Sequence, residues 1–266
     1  MELRHDTLDG MHLAAVIERD QLVALYAQPN DERPWLGDYY VAQVTRYAPA
    51  QRAYFIDIGE KDEAFLPHAE AALLAPGQKI MVRVERPATM DKKIRCSLID
   101  MGDATAIGRV GLGPNVLGMA QRDYPSAQLV LAGMEDYDNV ILDLLEPKVN
   151  VQDGIDIVIE SVTALTAIDV NNADPKLQPL EVNRLVTRSI AQQLRLRNIG
   201  GQVVVDFLRL RDPKHRASLE SAIQQAVTLD PSPVQLYGFT RLGLFELTRT
   251  KRGLPLETVY ALSNGA

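Results

Sequence analysis

The strongest constraint on the fold is a long helical segment between apolar strands in the second half of the chain. Residues 155–170 predict two short strands, and 179–198 place apolar residues close to helical spacing. Gly200 and Gly201 follow, as glycine commonly does at a helix C-terminus. The continuous apolar run at 202–210 is typical of a strand whose two faces are both covered. Strand, helix and strand in this order predict two parallel, often adjacent, strands.

An aspartate stands in each of the two strands that flank this helix. Asp169 ends the first strand and Asp206 lies within the second, so both are expected near the same edge of the sheet. A carboxylate in an apolar run is costly unless it is paired or binds a cation. Mg²⁺ is commonly held by one or two carboxylates, waters and a substrate phosphate. The pair therefore indicates a Mg²⁺ site, and Asn171, two residues beyond Asp169 on the same face, could orient a ligand.

A structural role for the two aspartates stays open at this point. Asp169 could cap a strand end or turn, and Asp206 could pair with an arginine such as Arg209. Basic residues between and just after the aspartates favour a phosphodiester substrate, although a solvated helix face explains any one of them equally well. These residues are Arg184, Arg188, Arg195, Arg197, Arg209, Arg211, Lys214 and Arg216.

The first half of the chain is rich in short strands. Five of them in about 60 residues, separated by turn signals, suggest a small barrel of the OB type. The five are 38–48, 53–59, 63–70, 79–88 and 93–99.

Other segments complete the predicted organisation. Residues 13–29 predict a two-strand hairpin. The glycine-rich stretch 100–127 predicts a connector. Its Gly111-Leu112-Gly113 is too weak a signal to indicate a phosphate-binding loop. The remaining predictions are a strand at 128–133, helices at 135–145 and 215–230, and a hairpin of 234–240 with 243–250.

Composition excludes several classes of protein. A chain of 266 residues suggests about two domains, and its single cysteine excludes an internal disulfide framework and a CxxC zinc site. Cys96 is expected in the core.

A net charge of −7 argues mildly against a nucleic-acid binder, but binding depends on where the charges lie. No signal peptide or membrane span is expected, which predicts a cytoplasmic protein. His5, His12, His68 and His215 are dispersed, without HExxH spacing.

Three motifs carry a resemblance to a known family. TALTAIDVN (163–171), QQLRLRNIGGQVVVDFLRLRD (192–212) and TRLGLFELTR (240–249) closely resemble the catalytic core of the ribonuclease E/G family of bacterial endoribonucleases. Residues 37–70 resemble that family's S1 RNA-binding domain, an OB barrel. The resemblance implies an α+β or α/β chain in which the S1-type barrel is inserted before a mixed α/β nuclease core.

The domains and site residues follow from this resemblance. Residues 1–33 are expected to be strands packed on the nuclease core, 34–99 the S1 domain, 100–127 the connector, and 128–266 the catalytic core. The implied activity is Mg²⁺-dependent hydrolysis of single-stranded RNA in RNA processing, leaving 5′-phosphate products, with Mn²⁺ as an alternative metal. Asp169 and Asp206 match the family's metal-binding aspartates, and Asn171 its nearby asparagine. The RNA-contacting residues would be Phe55, Phe65, Lys92, Lys93 and Arg241, with a place in the barrel core as the alternative for one or both phenylalanines.

The sequence departs from the family in three places. The connector is too short for the 5′-end sensor domain, so cleavage is expected to be independent of the RNA 5′ end. The cysteines of the family's zinc link are absent, so neither zinc nor a zinc-linked dimer is expected, and the oligomeric state is open. The family's Asn-Ser-Gly/Ala is Asn171-Asn172-Ala173. A non-catalytic RNA-binding protein on the same scaffold is the alternative, with a DNA nuclease as a weaker one.

Overall fold

Three β-sheets and five helices make up the computed structural model, which describes residues 1–67, 73–89, 91–101 and 106–265. The architecture is a mixed α and β fold, in agreement with the coarse prediction. Within the described ranges, no helix is long and apolar enough to cross a membrane.

The first sheet is built from the N-terminal residues. It contains β1 (Glu2–Leu8), β2 (Met11–Glu18), β3 (Gln21–Pro29) and the two-residue β10 (Gln128–Leu129), in the order β10-β1-β2-β3. The predicted hairpin is β2 and β3. Positive φ at Arg19 and Asp20 gives its two-residue turn the twist that antiparallel strands favour. The sequence analysis missed β1, because Leu3 is its only buried residue and its apolar alternation is weak.

The second sheet closes on itself. It contains β4 (Tyr39–Ala48), β5 (Ala53–Asp57), β6 (Ala64–Pro67), β7 (Lys79–Arg86), β8 (Arg95–Asp100) and β9 (Gly108–Gly111), in the order β5-β6-β8-β7-β4-β9. The additional pairing of β5 with β4 joins the five predicted strands into a ring. Residues 68–70 of the third predicted strand, including His68, lie outside the described residues. Cys96 lies fully buried inside the ring, and burial raises the pKa of its thiol to about 12, which fits the expected core role.

The predicted connector is more structured than a linker. It contributes β9, which pairs with β4, and α1 (Val116–Asp123), whose N-terminus is capped by Asn115. The buried Asp38 carboxylate accepts hydrogen bonds from the backbone N–H groups of Gly113 and Trp35, at 2.8 and 2.9 Å. A side chain at Gly113 would collide with the Leu36 carbonyl, so this glycine serves a close backbone approach. Residues 102–105, with Gly102, lie outside the described residues.

The third sheet carries the predicted strand–helix–strand unit. Its strands are β11 (Lys148–Gln152), β12 (Ile155–Ser161), β13 (Thr166–Asn172), β14 (Gly201–Asp206), β15 (Val234–Phe239) and β16 (Phe245–Arg249), in the order β11-β12-β13-β14-β16-β15. The helices α3 (Pro179–Leu196) and α4 (Pro213–Val227) pack on one face through a continuous apolar core. The opposite face of the sheet carries mainly exposed or half-buried polar residues, which we call the open face.

Several boundaries differ from those predicted. The strand predicted at 202–210 leaves the sheet after Asp206, although Phe207 and Leu210 continue into the core beneath it. The helix predicted at 135–145 is a 3-10 turn followed by the short α2 (Asp138–Asp143), and the strand predicted at 128–133 is only β10. The C-terminal α5 (Leu256–Ser263) was not predicted.

A shared apolar cluster joins the N-terminal sheet to the α/β region. Leu13 and Leu25 of the first sheet lie in one cluster with Ile141 of α2, Leu196 of α3 and Val259 of α5. In addition, the Gln192 side-chain amide donates to the backbone carbonyl of Leu22 at 2.8 Å. These contacts keep the first sheet packed against the end of α3, so the N-terminal strands and the predicted nuclease core share a core.

Candidate active site

The two aspartates lie directly opposite each other on neighbouring parallel strands. Asp169 of β13 is the register partner of Asp206 of β14. Adjacent strands lie about 4.8 Å apart, so the two side chains leave the same face of the sheet as close neighbours. The sequence analysis predicted this convergence from chain order alone, and the register makes it closer than the sequence could specify.

Strand alternation explains why both carboxylates reach solvent. Ile168 and Val170 flank Asp169 and point into the core, as Val205 does before Asp206. Both aspartates consequently lie exposed on the open face. The expectation of a costly buried carboxylate was therefore wrong, because the apolar runs contribute only alternate residues to the core.

Neither of the structural roles considered for the pair is observed. Asp169 lies in mid-strand and forms no capping bond, and Asp206 is not paired with Arg209. Over the described ranges, neither aspartate has a hydrogen-bond or ion-pair partner. Two adjacent carboxylates without partners leave their oxygens free for a cation.

Asn171 lies on the same open face and is held there by a neighbouring strand. Its amide nitrogen donates to Oδ1 of Asp156, its register partner on β12, at 3.3 Å. The other carboxylate oxygen of Asp156 lies 3.1 Å from Nζ of Lys148 on β11. This arrangement uses the amide nitrogen and leaves the amide oxygen of Asn171 free. The sequence analysis missed Asp156 and Lys148, although the alternation IDIVIE in β12 marks Asp156 as an outward residue.

The predicted basic cluster does not surround the aspartates. Arg184, Arg188 and Arg195 belong to α3, on the other side of the sheet from the open face. Arg197 is buried and donates to Gln193 at 2.7 Å. The expectation was wrong for these four, because closeness along a helix says nothing about which side of the sheet the helix covers.

The remaining basic residues lie around the end of the sheet that carries Asp206. Arg209 and Arg211 follow that strand end and are exposed. The turn between β15 and β16 reaches the same end, because Val205 pairs with Phe245, and it carries the exposed Arg241. Lys214 and Arg216 begin α4, where Arg216 donates to the Leu210 carbonyl and lies over the Phe239 ring.

The two predicted RNA-contacting aromatics lie on the outside of the ring. Phe55 of β5 and Phe65 of β6 are register partners, and their rings pack edge to face with centroids 6.0 Å apart. The ring interior is filled by their neighbours on the same strands, including Tyr54 and Leu66. Phe55 is only 6% exposed, because the Arg46 guanidinium lies 3.8 Å from its ring centroid. A cation and two aromatic rings are thus stacked on an outer surface.

The two predicted lysines lie on the segment between β7 and β8. Lys92 pairs with Thr89 as an isolated bridge, and both lysines are exposed. Hydrogen bonds from Thr45 and Arg46 lower the pKa of the Glu63 carboxyl, and the positive charge of the nearby Lys93 lowers it further by a smaller amount. Lys93 therefore lies beside the stacked surface, whereas Lys92 lines a separate cleft against the segment before α5.

The donor set at the aspartate pair suits a hard cation. Carboxylate and amide oxygens are the ligands that Mg²⁺ takes, and it keeps several waters when only one or two carboxylates bind it. In the part of the chain that the structure describes, no group of three or more His, Cys, Asp or Glu side chains is placed to hold a metal. A Mg²⁺ ion here would rely on Asp169, Asp206, water and substrate phosphate.

Comparison with known proteins identifies the α/β region. Residues 124–252 match the model of the Ribonuclease E/G family. Ribonuclease G of Escherichia coli K12 is 33% identical over 132 residues, which cover 47% of this chain and 27% of that protein. Ribonuclease E of the same organism is 36% identical over 110 residues, covering 39% and 10%, and Ribonuclease E of Synechocystis is 35% identical over 126 residues, covering 45% and 19%.

Residues 124–252 are thus similar to the ribonuclease E/G family. The aligned region spans about a quarter of the length of the Ribonuclease G relatives. Asp169, Asn171, Asp206 and Arg241 lie inside the ribonuclease E/G match, whereas the stacked surface of the ring lies outside it. The aspartate pair and the family similarity therefore support each other, and the ring has to be argued from its geometry.

Replacing Asp156 tests how Asn171 is held. If the aspartate pair cleaves RNA with Mg²⁺, as proposed below, Asp156→Ala should lower the rate about tenfold at fixed Mg²⁺, because the loss of one support of a ligand commonly costs 10- to 100-fold. Asp156→Asn keeps an acceptor oxygen and should recover most of the activity. Cleavage rates measured across a Mg²⁺ titration provide the check, and equal rates for Asp156→Ala and the unmodified protein would contradict the assignment.

Proposed function

We propose that the chain is an endoribonuclease that hydrolyses single-stranded RNA at the Asp169–Asp206 pair with Mg²⁺, leaving 5′-phosphate products. The observation that carries the proposal is the pair itself. Two unpartnered carboxylates stand in register on parallel strands, inside the segment that matches the ribonuclease E/G family. An unpaired acidic pair on an exposed sheet face adds nothing to fold stability, but it suits a cation that is shared with a phosphodiester.

Each side chain has a distinct proposed role. When bound, Mg²⁺ supplies an activated water and neutralises charge at the scissile phosphate. Asp169 and Asp206 hold the cation, with Mn²⁺ as an alternative, and Asn171 directs its amide oxygen toward the same space. Arg241, at the Asp206 end of the sheet, is positioned to attract the RNA backbone.

The ring is proposed to be the S1-type RNA-binding domain. Its five strands, closed by the β4–β5 pairing, support an OB-like arrangement. Phe65 offers an outward ring surface on which an unpaired base stacks, and Phe55 packs edge to face against it beneath Arg46. Lys93 adds positive charge next to the two phenylalanines. Lys92 faces the cleft near α5 and would contact a different part of the RNA. A cytoplasmic location remains a prediction, motivated by the single free cysteine.

Asparagine substitutions test the metal site. Asp169→Asn and Asp206→Asn should each reduce Mg²⁺-dependent cleavage of a labelled single-stranded RNA by at least 100-fold, because each removes an anionic ligand. The thermal midpoint should be unchanged or slightly higher, because one of two adjacent like charges is gone. The measurements are cleavage with Mg²⁺ and with EDTA, and thermal melting.

Glu160→Gln is the matched control, because Glu160 is an exposed acid on β12 of the same sheet. Its cleavage rate should equal that of the unmodified protein. Normal cleavage by both asparagine variants would refute the site. Intact RNA binding without any cleavage by the unmodified protein would instead favour a non-catalytic RNA-binding protein. Equal cleavage of single-stranded DNA would favour a nuclease that does not read the 2′-hydroxyl.

Truncating the ring aromatics tests the proposed stacking. Phe65→Ala should weaken single-stranded RNA binding by about 1–3 kcal/mol, the usual contribution of one stacked base. Phe55→Ala should lower the thermal midpoint, because Phe55 is buried beneath Arg46, and should weaken RNA binding through the lost support of Phe65. Binding is measured in EDTA alongside melting. Phe65→Leu keeps the apolar volume, and RNA affinity equal to the unmodified protein in both Phe65 variants would contradict stacking there.

Cleavage is proposed to be independent of the RNA 5′ end. The segment 100–127 contributes β9 and α1, and its two arginines are already engaged: Arg109 with Tyr40, and Arg122 with Asp123. We expect RNAs with 5′-hydroxyl, 5′-monophosphate or 5′-triphosphate ends, and a circular RNA, to be cut at rates within a few-fold of one another. A preference of tenfold or more for the monophosphate, about 1.4 kcal/mol, would reveal a phosphate pocket and contradict this expectation.

A further inference from the structure

The arginines that the structure places away from the aspartates form a surface of their own. Arg184, Arg188 and Arg195 lie on one stripe of α3, since positions four and eleven residues apart on a helix share a face. Together with the middle and last turns of α4, this stripe lines an open groove of about 800 Å³, which we call the α3–α4 groove. On the α4 side the groove is lined by Ser218, Ser221 and Gln225 and by the apolar Ala222, Ala226 and Leu229.

None of the three guanidinium groups is neutralised by a carboxylate in the described part of the chain. Arg184 donates to the Ser218 hydroxyl, and Arg195 donates through Nε to the Val23 carbonyl at 3.2 Å. Nη1 of Arg195 is buried without a hydrogen-bond partner, and Arg188 has no partner among the described residues.

The acidic side chain that lines the groove is already used by the fold. Glu181 accepts a hydrogen bond from the backbone N–H of Gln178 at 3.0 Å and thereby closes the capping box of α3. It is the only acid among the described residues that line the groove. In a chain with a net charge of −7, three arginines without acidic partners in one groove mark a local positive field.

We propose that the α3–α4 groove binds the phosphate backbone of RNA, on the face of the molecule opposite the aspartate pair. The stripe from Arg184 to Arg195 is about 16 Å long at 1.5 Å per residue, which is enough for several consecutive phosphates. Arginine is the preferred partner of phosphate, because its planar group can donate two bonds to one anion. The choice of RNA over an acidic protein segment rests on the proposed function. The groove would hold a part of the RNA remote from the cleaved bond.

Binding measured without cleavage tests the proposal. The probe is a fluorescent single-stranded RNA of about 20 nucleotides, titrated in EDTA at several salt concentrations. Arg184→Gln with Arg188→Gln should weaken binding at least fivefold at low salt and reduce the salt slope by about 1.4, for two lost phosphate contacts at 0.7 each. Arg184→Lys with Arg188→Lys keeps the charge and should keep the slope. Both residues are exposed, so both double variants should melt as the unmodified protein does.

Every outcome of this binding experiment tests the α3–α4 groove without relying on the active site. Unchanged affinity and slope in the glutamine variant, or no RNA binding by the unmodified protein, would overturn it. Weaker binding at an unchanged slope would overturn the phosphate assignment, and binding of a polyglutamate probe in preference to RNA would point to an acidic protein partner instead. Because the measurement excludes Mg²⁺ and records no cleavage, a failed Asp169 or Asp206 test leaves its result interpretable.

Discussion

The parallel register of β13 and β14 is the constraint on which the proposed activity depends. It places Asp169 opposite Asp206 while Ile168, Val170, Val203 and Val205 remain in the core beneath α3. A slip of one residue in either strand would turn its aspartate into the core and expose its apolar residues. The apolar packing that stabilises the sheet therefore also sets the spacing of the two charges. Their mutual repulsion is tolerated because both lie in water.

A second requirement is that the open face stays uncovered. The helices of the α/β region pack on one face of the sheet, and the N-terminal sheet packs at the end of α3. Asp169, Asn171 and Asp206 are consequently exposed on the open face. Along it, Lys148, Asp156 and Asn171 form a line of contacts that crosses three strands and ends beside Asp169. Because this line is anchored on strands rather than loops, it holds the amide of Asn171 in place.

Acidic and basic side chains that are neighbours along the sequence lie on opposite sides of the third sheet. The acids of the site lie on the open face, whereas Arg184, Arg188 and Arg195 of α3, which have no acidic partner among the described residues, lie on the helical side. The outer surface of the ring adds a third feature, in which Arg46 covers Phe55 and Lys93 lies close by. An overall negative charge is compatible with RNA binding when cations are grouped in this way.

The sequence by itself determined the strand–helix–strand unit and the five ring strands, and it predicted that Asp169 and Asp206 converge. Apolar periodicity and glycine positions are local signals, and each of these elements follows from them. The sequence missed β1 and the structure within 100–127, where few residues are buried and the periodicity is weak. It also missed α5.

Only the tertiary structure decided which side of the sheet each charge occupies. Sequence analysis grouped the arginines with the aspartates because they are neighbours along the chain. In the fold, α3 packs on the face of the sheet opposite the aspartates, so Arg184, Arg188 and Arg195 lie on that side as well. The partnership of Asn171 with Asp156 likewise depends on the pairing of β12 with β13. Strand register, and the face on which a helix packs, result from the burial of the whole core, and no single segment of the sequence specifies them.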